Sequence, residues 1–327
     1  MTNSFWKGRT VFITGASGLL GSWLTRNLLE KGANIVALVR DWVPESALLS
    51  SPDVKRITIV RGDIRDSEVI LHALCEYEID TVFHLAAQAI VGTARLHPAG
   101  TFETNIGGTV NLLEAARQVP RIGPILIASS DKAYGAHASL PYTENTPLQG
   151  RHPYDCSKSC TDLIAQSYAW TYGMQIGITR CGNLFGGGDL NWNRLIPGTM
   201  RSVLEGKAPV IRSDGQFTRD YLYIEDGVSA YIQLAEALAN GSVQAGEALN
   251  FGNKHPVTVL EVVQKIIEAG GRPDLQPEIL GQASDEIREQ YLDSSRAHQI
   301  LGWHSQYSLE DGLKLTMDWY DAFLKDD

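Results

Sequence analysis

The chain has 327 residues, about twice a typical domain of roughly 150, with 43% hydrophobic and 20% charged residues. That composition excludes disorder and collagen-like repeats, and leaves one large α/β unit or two lobes. Acidic residues outnumber basic ones 38 to 28, a net charge of −10 that excludes a generally basic nucleic-acid binder, so an anionic ligand must be gripped by a few local Arg, Lys and backbone donors.

Thr10–Thr14 is a short β-rich run ending at glycine, and Leu19–Lys31 carries Leu20, Leu24 and Leu28 at helical spacing before Gly32. Apolar runs follow at Ile35–Val39, Ile57–Val60, Thr81–Leu85 and Ile125–Ala128, with helical segments at Ser67–Glu76 and Pro98–Gln118 between them. Apolar strands alternating with helices predict an α/β fold, a doubly wound parallel sheet of Rossmann type covered on both faces. A helix over Tyr154–Tyr172 leads into a strand at Ile176–Arg180. Later helices are expected at Ile196–Glu205, Val257–Ala269 and Ser308–Leu324, with Thr258 and Ser308 as N-caps ahead of Glu261 and Asp311. The predicted division is a dinucleotide-binding domain over 1–181, to which 222–250 returns, and an interleaved, smaller substrate lobe from 182–221 and 251–327.

Cys75, Cys156, Cys160 and Cys181 form no C-x-x-C pair, so buried free thiols are expected and a metal site is not. No stretch reaches the roughly 18 apolar residues of a membrane span, and the first residues lack the apolar run of a secretion signal, so a cytoplasmic location is expected.

Gly15-x-x-Gly18-x-x-Gly21 directly follows the first strand and opens the first helix. The glycines let the backbone turn tightly against a pyrophosphate, and the helix N-terminus offers it unpaired amides and partial positive charge. Gly15, Ser17, Gly18, Leu19 and Gly21 are therefore the expected phosphate-side contacts. The second strand ends Val39-Arg40-Asp41. Arg40 could pair with a 2′-phosphate, which tilts the reading towards NADP, while Asp41 could serve a ribose hydroxyl and keeps NAD open. Arg40 as a solvated loop charge is the plain alternative.

Tyr154-x-x-x-Lys158 puts a phenol and an ammonium on one face of a helix. A phenol of pKa near 10 is a poor base, and a neighbouring cation favours its ionised form.

The glycine spacing and the Tyr-Lys pair resemble the extended short-chain dehydrogenase/reductase superfamily. That resemblance places Asp63 and Ile64 at the adenine, and Leu85, Ala86, Ala87, Gln88 and Asn105 along the tightly bound NAD(P), with Lys158 on the nicotinamide ribose. It makes Ser130 the hydroxyl that hydrogen-bonds the reacting group beside Tyr154. Asp131-Lys132 follow directly, and this pair is similar to the nucleotide-sugar 4,6-dehydratases, in particular the CDP-glucose 4,6-dehydratases, which Thr101–Asn105, Gly108–Ala115 and Gly182–Asp189 also resemble. The implied function is conversion of an NDP-hexose to the 4-keto-6-deoxy sugar. Tyr154 takes the 4-hydroxyl proton during oxidation at carbon 4, Asp131 as acid and Lys132 as base remove water across carbons 5 and 6, and hydride returns to carbon 6. A carboxylate beside an ammonium favours both charged forms, so burial must keep Asp131 protonated and Lys132 neutral, or the two share a proton. Asn183, Arg194, Arg219 and Arg288 are the implied substrate contacts, with Arg suited to phosphate.

The resemblance also implies a homodimer through the helices at Pro98–Gln118 and Tyr154–Tyr172, with Ala115, Ala116, Ala165 and Ala169 permitting close packing. A 4-epimerase or 4-keto reductase of the same fold is the alternative, disfavoured by the Asp131-Lys132 pair. A non-catalytic dinucleotide-binding regulator is less expected because Tyr154 and Lys158 are both present. His84, His137 and His152 are expected to be structural.

Overall fold

The structure, a computed structural model, describes residues 5–282 and 287–325. The first half runs β1 (Thr10–Thr14), α1 (Leu19–Glu30), β2 (Asn34–Val39), β3 (Thr58–Arg61), α2 (Ser67–Glu76), β4 (Thr81–His84), α3 (Val91–Leu96), α4 (Pro98–Phe102), α5 (Gly108–Arg117), β5 (Ile125–Ala128), α6 (Pro153–Tyr172) and β6 (Ile176–Cys181). The second half runs β7 (Asn183–Phe185), α7 (Leu195–Leu204), β8 (Val210–Ile211), β9 (Thr218–Arg219), β10 (Tyr221–Tyr223), α8 (Ile224–Ala239), β11 (Ala248–Phe251), β12 (Val257–Thr258), α9 (Val259–Ala269), β13 (Glu278–Ile279), β14 (Glu289–Gln290), α10 (Ser295–Leu301) and α11 (Leu309–Phe323).

Seven strands form one parallel sheet in the order β3-β2-β1-β4-β5-β6-β11. The period of two along β1 explains why its sequence is apolar throughout. Val11 and Ile13 enter the core with Leu24 and Leu28 of α1 and Leu234 of α8, whereas Phe12 enters the opposite core with Ile70 of α2, Leu112 of α5 and Ala165 of α6. The strand order reverses between β1 and β4, and such a switch opens a crevice at the carboxyl ends of the strands. A third core joins Met200 of α7, Val263 and Ile266 of α9 and Leu313 of α11. Leu20, Trp23 and Leu184 pack against both this core and the sheet, so the two are continuous.

Several local expectations change. The expected helix at Pro98–Gln118 is interrupted by a π-helical turn at Glu103–Gly107, where Asn105 is drawn towards the sheet, and α3 precedes it unanticipated. The helix expected from Val257 begins at Val259, because Val257–Thr258 pairs with β9 first; Thr258 is its cap, in a reciprocal capping box with Glu261. The segment expected to return to the sheet over 222–250 includes α8 and most of β11, which runs on to Phe251. Among the cysteines only Cys181 is buried; Cys75 is exposed, and Cys156 and Cys160 sit half-exposed on the outer face of α6. Ala115, Ala116, Ala165 and Ala169 face the core inward rather than a partner, because they fill the space between helices and sheet.

Candidate active site

The turn after β1 is built for a close visitor. Gly15 has φ +75°, and a Cβ there would lie 2.8 Å from Ala86 N. A Cβ on Gly21 would lie 2.1 Å from Gly15 O, so both glycines are demanded by the packing of the turn itself. Gly18 differs: a Cβ there would meet only Gly15 O, at 3.4 Å. The protein leaves room at Gly18, on the N-terminus of α1, which has no side-chain cap. First-turn amides without a cap and a cradle that only a side chain would fill suit an anionic phosphate. Ser17 O accepts from buried Ser46 Oγ at 2.8 Å, which pins the loop after β2 over this turn. Leu19 opens the helix and packs towards the third core.

The rest of the expected dinucleotide contacts lie around the same crevice. Arg40 and Asp41 are exposed and paired with each other at 2.7 Å, so the Arg40 charge is already matched by its neighbour. Asp63 holds Arg65 at 2.8 Å, and that hydrogen bond, against some burial, lowers its carboxyl below the usual range. Ile64 is buried against Gly108. Leu85, Ala86, Ala87 and Gln88 follow β4 with partial exposure.

A buried chain of hydrogen bonds ties this crevice to α6. Thr14 Oγ1 accepts from the amides of Leu85 and Ala86, both at 3.2 Å, and lies 2.8 Å from His84 Nδ1. His84 Nε2 lies 3.0 Å from Thr109 Oγ1, whose hydroxyl donates to Asn105 O at 2.7 Å. Thr109 must therefore accept from Nε2–H, leaving Nδ1 to accept from Thr14. Burial, then the charge on Lys158, pushes His84 down to about 3, so it stays neutral. Asn105 Oδ1 accepts from Gln88 N at 2.7 Å, its Nδ2 donates to Ser157 Oγ at 2.8 Å, and Ser157 donates to Tyr154 O at 2.7 Å. His84 is buried between Thr14 and Thr109, and these partners carry no sequence signal because the links span up to 70 residues.

Tyr154 and Lys158 share a face of α6, with Lys158 Nζ 6.0 Å from the phenol ring centroid. Lys158 is buried, donates to Ala128 O at 2.6 Å, and is pushed down to about 8 by burial, against the opposing charge of Asp162. The phenol contradicts the expected lowering: burial, then the charge of Asp131, pushes Tyr154 up to about 12, although the neighbouring Ser130 hydroxyl works the other way. Desolvation outweighs a cation six ångströms off. Ser130 caps a short 3₁₀ turn at Asp131–Tyr134, accepting from Lys132 N at 3.2 Å and donating to Asp131 Oδ1 at 2.9 Å. Ser130 thus ties the Asp131 carboxyl to its own turn and lies beside the Tyr154 phenol. Asp131 is 2% exposed, its Oδ2 has no hydrogen-bond partner among the described residues, and burial raises its carboxyl despite the Lys132 charge. An orphaned buried carboxylate oxygen is the arrangement a protonated acid satisfies best.

A cavity of about 650 Å³ opens from Lys132 between α7, β8 and β9, lined also by His152, Asn183, Arg194 and Arg219. Asn183 Nδ2 donates to Asp220 O at 3.3 Å, Arg194 pairs with Asp189 at 2.6 Å, and buried Arg219 donates to Thr218 O and Arg288 O. Arg288 is not brought into this lining; its side chain is exposed and pairs with Asp214 at 3.5 Å. Gly186 lines the cavity, whereas Gly187 packs against Trp319 and Gly188 against Ala47. His137 Nε2 lies 2.8 Å from Tyr134 O and 2.9 Å from Pro147 O, a loop-holding role. Sequence reasoning missed Gln290, which is fully buried and contacts both Asp131 and Lys132.

A parallel sheet with a glycine turn at its switch point, a Ser-Tyr-Lys set beside it and a cation-lined cavity define a Rossmann-type protein of the extended short-chain dehydrogenase/reductase class. A family model described as GDP-mannose 4,6 dehydratase matches residues 12–316, and the chain belongs to that family. It is similar to a CDP-glucose 4,6-dehydratase of Salmonella typhimurium, 32% identical over 340 residues, covering 98% of this chain and 93% of the relative. A solved dTDP-glucose 4,6-dehydratase from Bacillus anthracis, in complex with NAD, superposes with TM-score 0.84 at 28% identity, covering 96% of this chain and 97% of that one. A UDP-glucose 4-epimerase from Thermotoga maritima, solved with UDP-glucose, superposes with TM-score 0.88 at 26% identity, covering 96% and 99%. No helix among the described residues is long and apolar enough to cross a membrane.

Proposed function

We propose that the chain is a nucleotide-sugar 4,6-dehydratase that uses NAD and acts on a CDP-hexose of the glucose type. The observation that carries the reading is the buried Asp131 carboxyl beside half-buried Lys132, with Ser130 Oγ donating to Asp131 and lying next to Tyr154. An epimerase needs proton transfer at carbon 4 alone, whereas loss of water across carbons 5 and 6 needs a further acid and base. When bound, the nicotinamide dinucleotide accepts a hydride from carbon 4 and returns it to carbon 6.

The chain's own groups then take these roles. Gly15, Ser17, Gly18, Leu19 and Gly21 receive the pyrophosphate, with Asp63, Ile64, Leu85, Ala86, Ala87, Gln88 and Asn105 along the nucleoside and Lys158 at the ribose. Asp41 serves the adenosine ribose, and NAD is favoured over NADP because the Arg40 guanidinium is matched by Asp41. Tyr154 takes the proton of the 4-hydroxyl. Because the Asp131 charge raises Tyr154, a protonated Asp131 removes that obstacle, and the two roles support each other. Asp131 then protonates the departing 6-hydroxyl while Lys132 removes the carbon 5 proton. Asn183, Arg194 and Arg219 hold the substrate diphosphate and sugar, whereas Arg288, exposed and paired with Asp214, stays outside. Two copies pair through the outer faces of α4–α6, where Leu163 and Trp170 are 55% and 71% exposed.

Incubation with CDP-, GDP-, UDP- and dTDP-glucose checks the reading. CDP-glucose should give the 4-keto-6-deoxy product fastest, and no such product from any of them would sink the proposal. Replacing Asp131 and Lys132 with Ala and Thr should leave oxidation at carbon 4 intact and abolish loss of water. Unchanged turnover in that variant would favour the epimerase reading.

A further inference from the structure

We propose that Gln290 is a positioning residue for Lys132, holding the amine where it can reach the substrate without adding a charge of its own. The inference rests on the dehydratase reading of the Asp131-Lys132 pair. Gln290 lies on β14 and is fully buried. Its Nε2 donates to the backbone carbonyl of Asp131 at 3.0 Å, and its Oε1 accepts from Lys132 Nζ. A carbonyl can only accept and an ammonium can only donate, so the two partners fix which way the amide points. One side chain thereby clamps the main chain of the acid to the side chain of the base across 158 residues of sequence.

The amide suits a base better than a carboxylate would. Oε1 accepts an N–H from Lys132 in either protonation state, so it does not oppose loss of the proton, and Lys132 lines the cavity. A carboxylate at the same place would favour the ammonium and withhold the base. Asp131, Tyr154, Asp155, Arg194 and Arg219 are ionisable groups of the described residues around this network. Gln290 also stands in register with Arg219, whose Nη1 donates to Arg288 O two residues before it. The strand that clamps the base is therefore the strand against which the phosphate-side arginine is set.

The test compares Gln290→Leu and Gln290→Glu with the native holoenzyme on CDP-glucose. Displacing a reacting group by about 1 Å costs on the order of 10²-fold in rate, so Gln290→Leu should lose that much kcat with KM unchanged. Oxidation at carbon 4 should persist, so absorbance at 340 nm should build up during turnover, while uptake of solvent deuterium at carbon 5 slows in step with product. Gln290→Glu should restore most of the rate at high pH and move the acidic limb of kcat upward. Equal slowing of oxidation and deuterium uptake, or unchanged kcat, overturns the positioning role. If Gln290→Leu fails to fold, a Gln290→Glu profile superposing on the native one overturns it. Absence of product with native enzyme overturns the dehydratase reading and this inference together, whereas native product with unaffected variants overturns only the inference.

Discussion

Asp131 and Asp220 are both buried carboxyls with one oxygen lacking a hydrogen-bond partner among the described residues, and the backbone assigns them different work. Asp131 accepts from Ser130 and adjoins the cavity residue Lys132. Asp220 lies under Gly182 and Gly252 and accepts from Asn253 N at 2.8 Å, with no cavity-lining lysine beside it in sequence. Burial, relieved by amides of Asn253 and Leu292, pushes Asp220 from 3.8 up to about 6. An acid raised in this way keeps its proton in the folded chain over a range where the unfolded chain has released it. Its contribution to stability is therefore full below pH 4 and declines as pH climbs through about 6. Asp220→Asn removes that titration. Relative to the native protein, the variant should gain roughly 2–3 kcal/mol between pH 4 and pH 7, read by denaturant unfolding at both. A difference that does not change with pH would contradict the assignment. At this scale the Tyr154-x-x-x-Lys158 pair was legible because i, i+4 spacing is local. The direction of the Tyr154 shift was not, since burial is set by elements far away in sequence.

At the scale of elements, the turn between β1 and α1 separates structural from ligand-imposed glycine. A Cβ at Gly21 would overlap Gly15 O and Ala16 Cα, so Gly21→Ala should destabilise the fold by about 1–3 kcal/mol. Gly18 has φ −79° and ψ 177°, which alanine adopts freely, and space for the added methyl. Gly18→Ala should therefore keep its stability within about 0.5 kcal/mol while losing NAD binding measured by calorimetry. In the native chain NAD should bind more tightly than NADP. A Gly18→Ala variant that binds NAD normally would remove the pyrophosphate from this turn. The strands and the helix caps at Thr258 and Ser308 were readable in advance because periodicity and capping are local rules. The π-helical turn at Glu103–Gly107 was not, because Asn105 is held by Gln88 and Ser157 from other elements.

For the molecule as a whole, the unpaired surface is the outer face of α6. Cys156, Cys160, Leu163, Ser167 and Trp170 recur every three or four residues along it, which is one stripe of a helix. Leu96, on α3, is 85% exposed. Leu163→Glu with Trp170→Glu should shift the proposed dimer to monomer in sedimentation or light scattering, with the far-ultraviolet spectrum unchanged. A native chain that sediments as a monomer would refute the pairing. The alanines expected at this interface lie in the core instead, because small residues suit a helix packed against a sheet as well as a helix packed against a partner.

By itself the sequence determined the parallel sheet, the glycine turn and the Ser130, Asp131, Lys132, Tyr154 and Lys158 set, since each rests on a spacing within one strand, turn or helix. Only the tertiary structure decided the upward shifts of Tyr154 and Asp131, the outward place of Arg288 and the clamp from Gln290. Those depend on desolvation and on contacts between segments up to 159 residues apart, where no local pattern carries information.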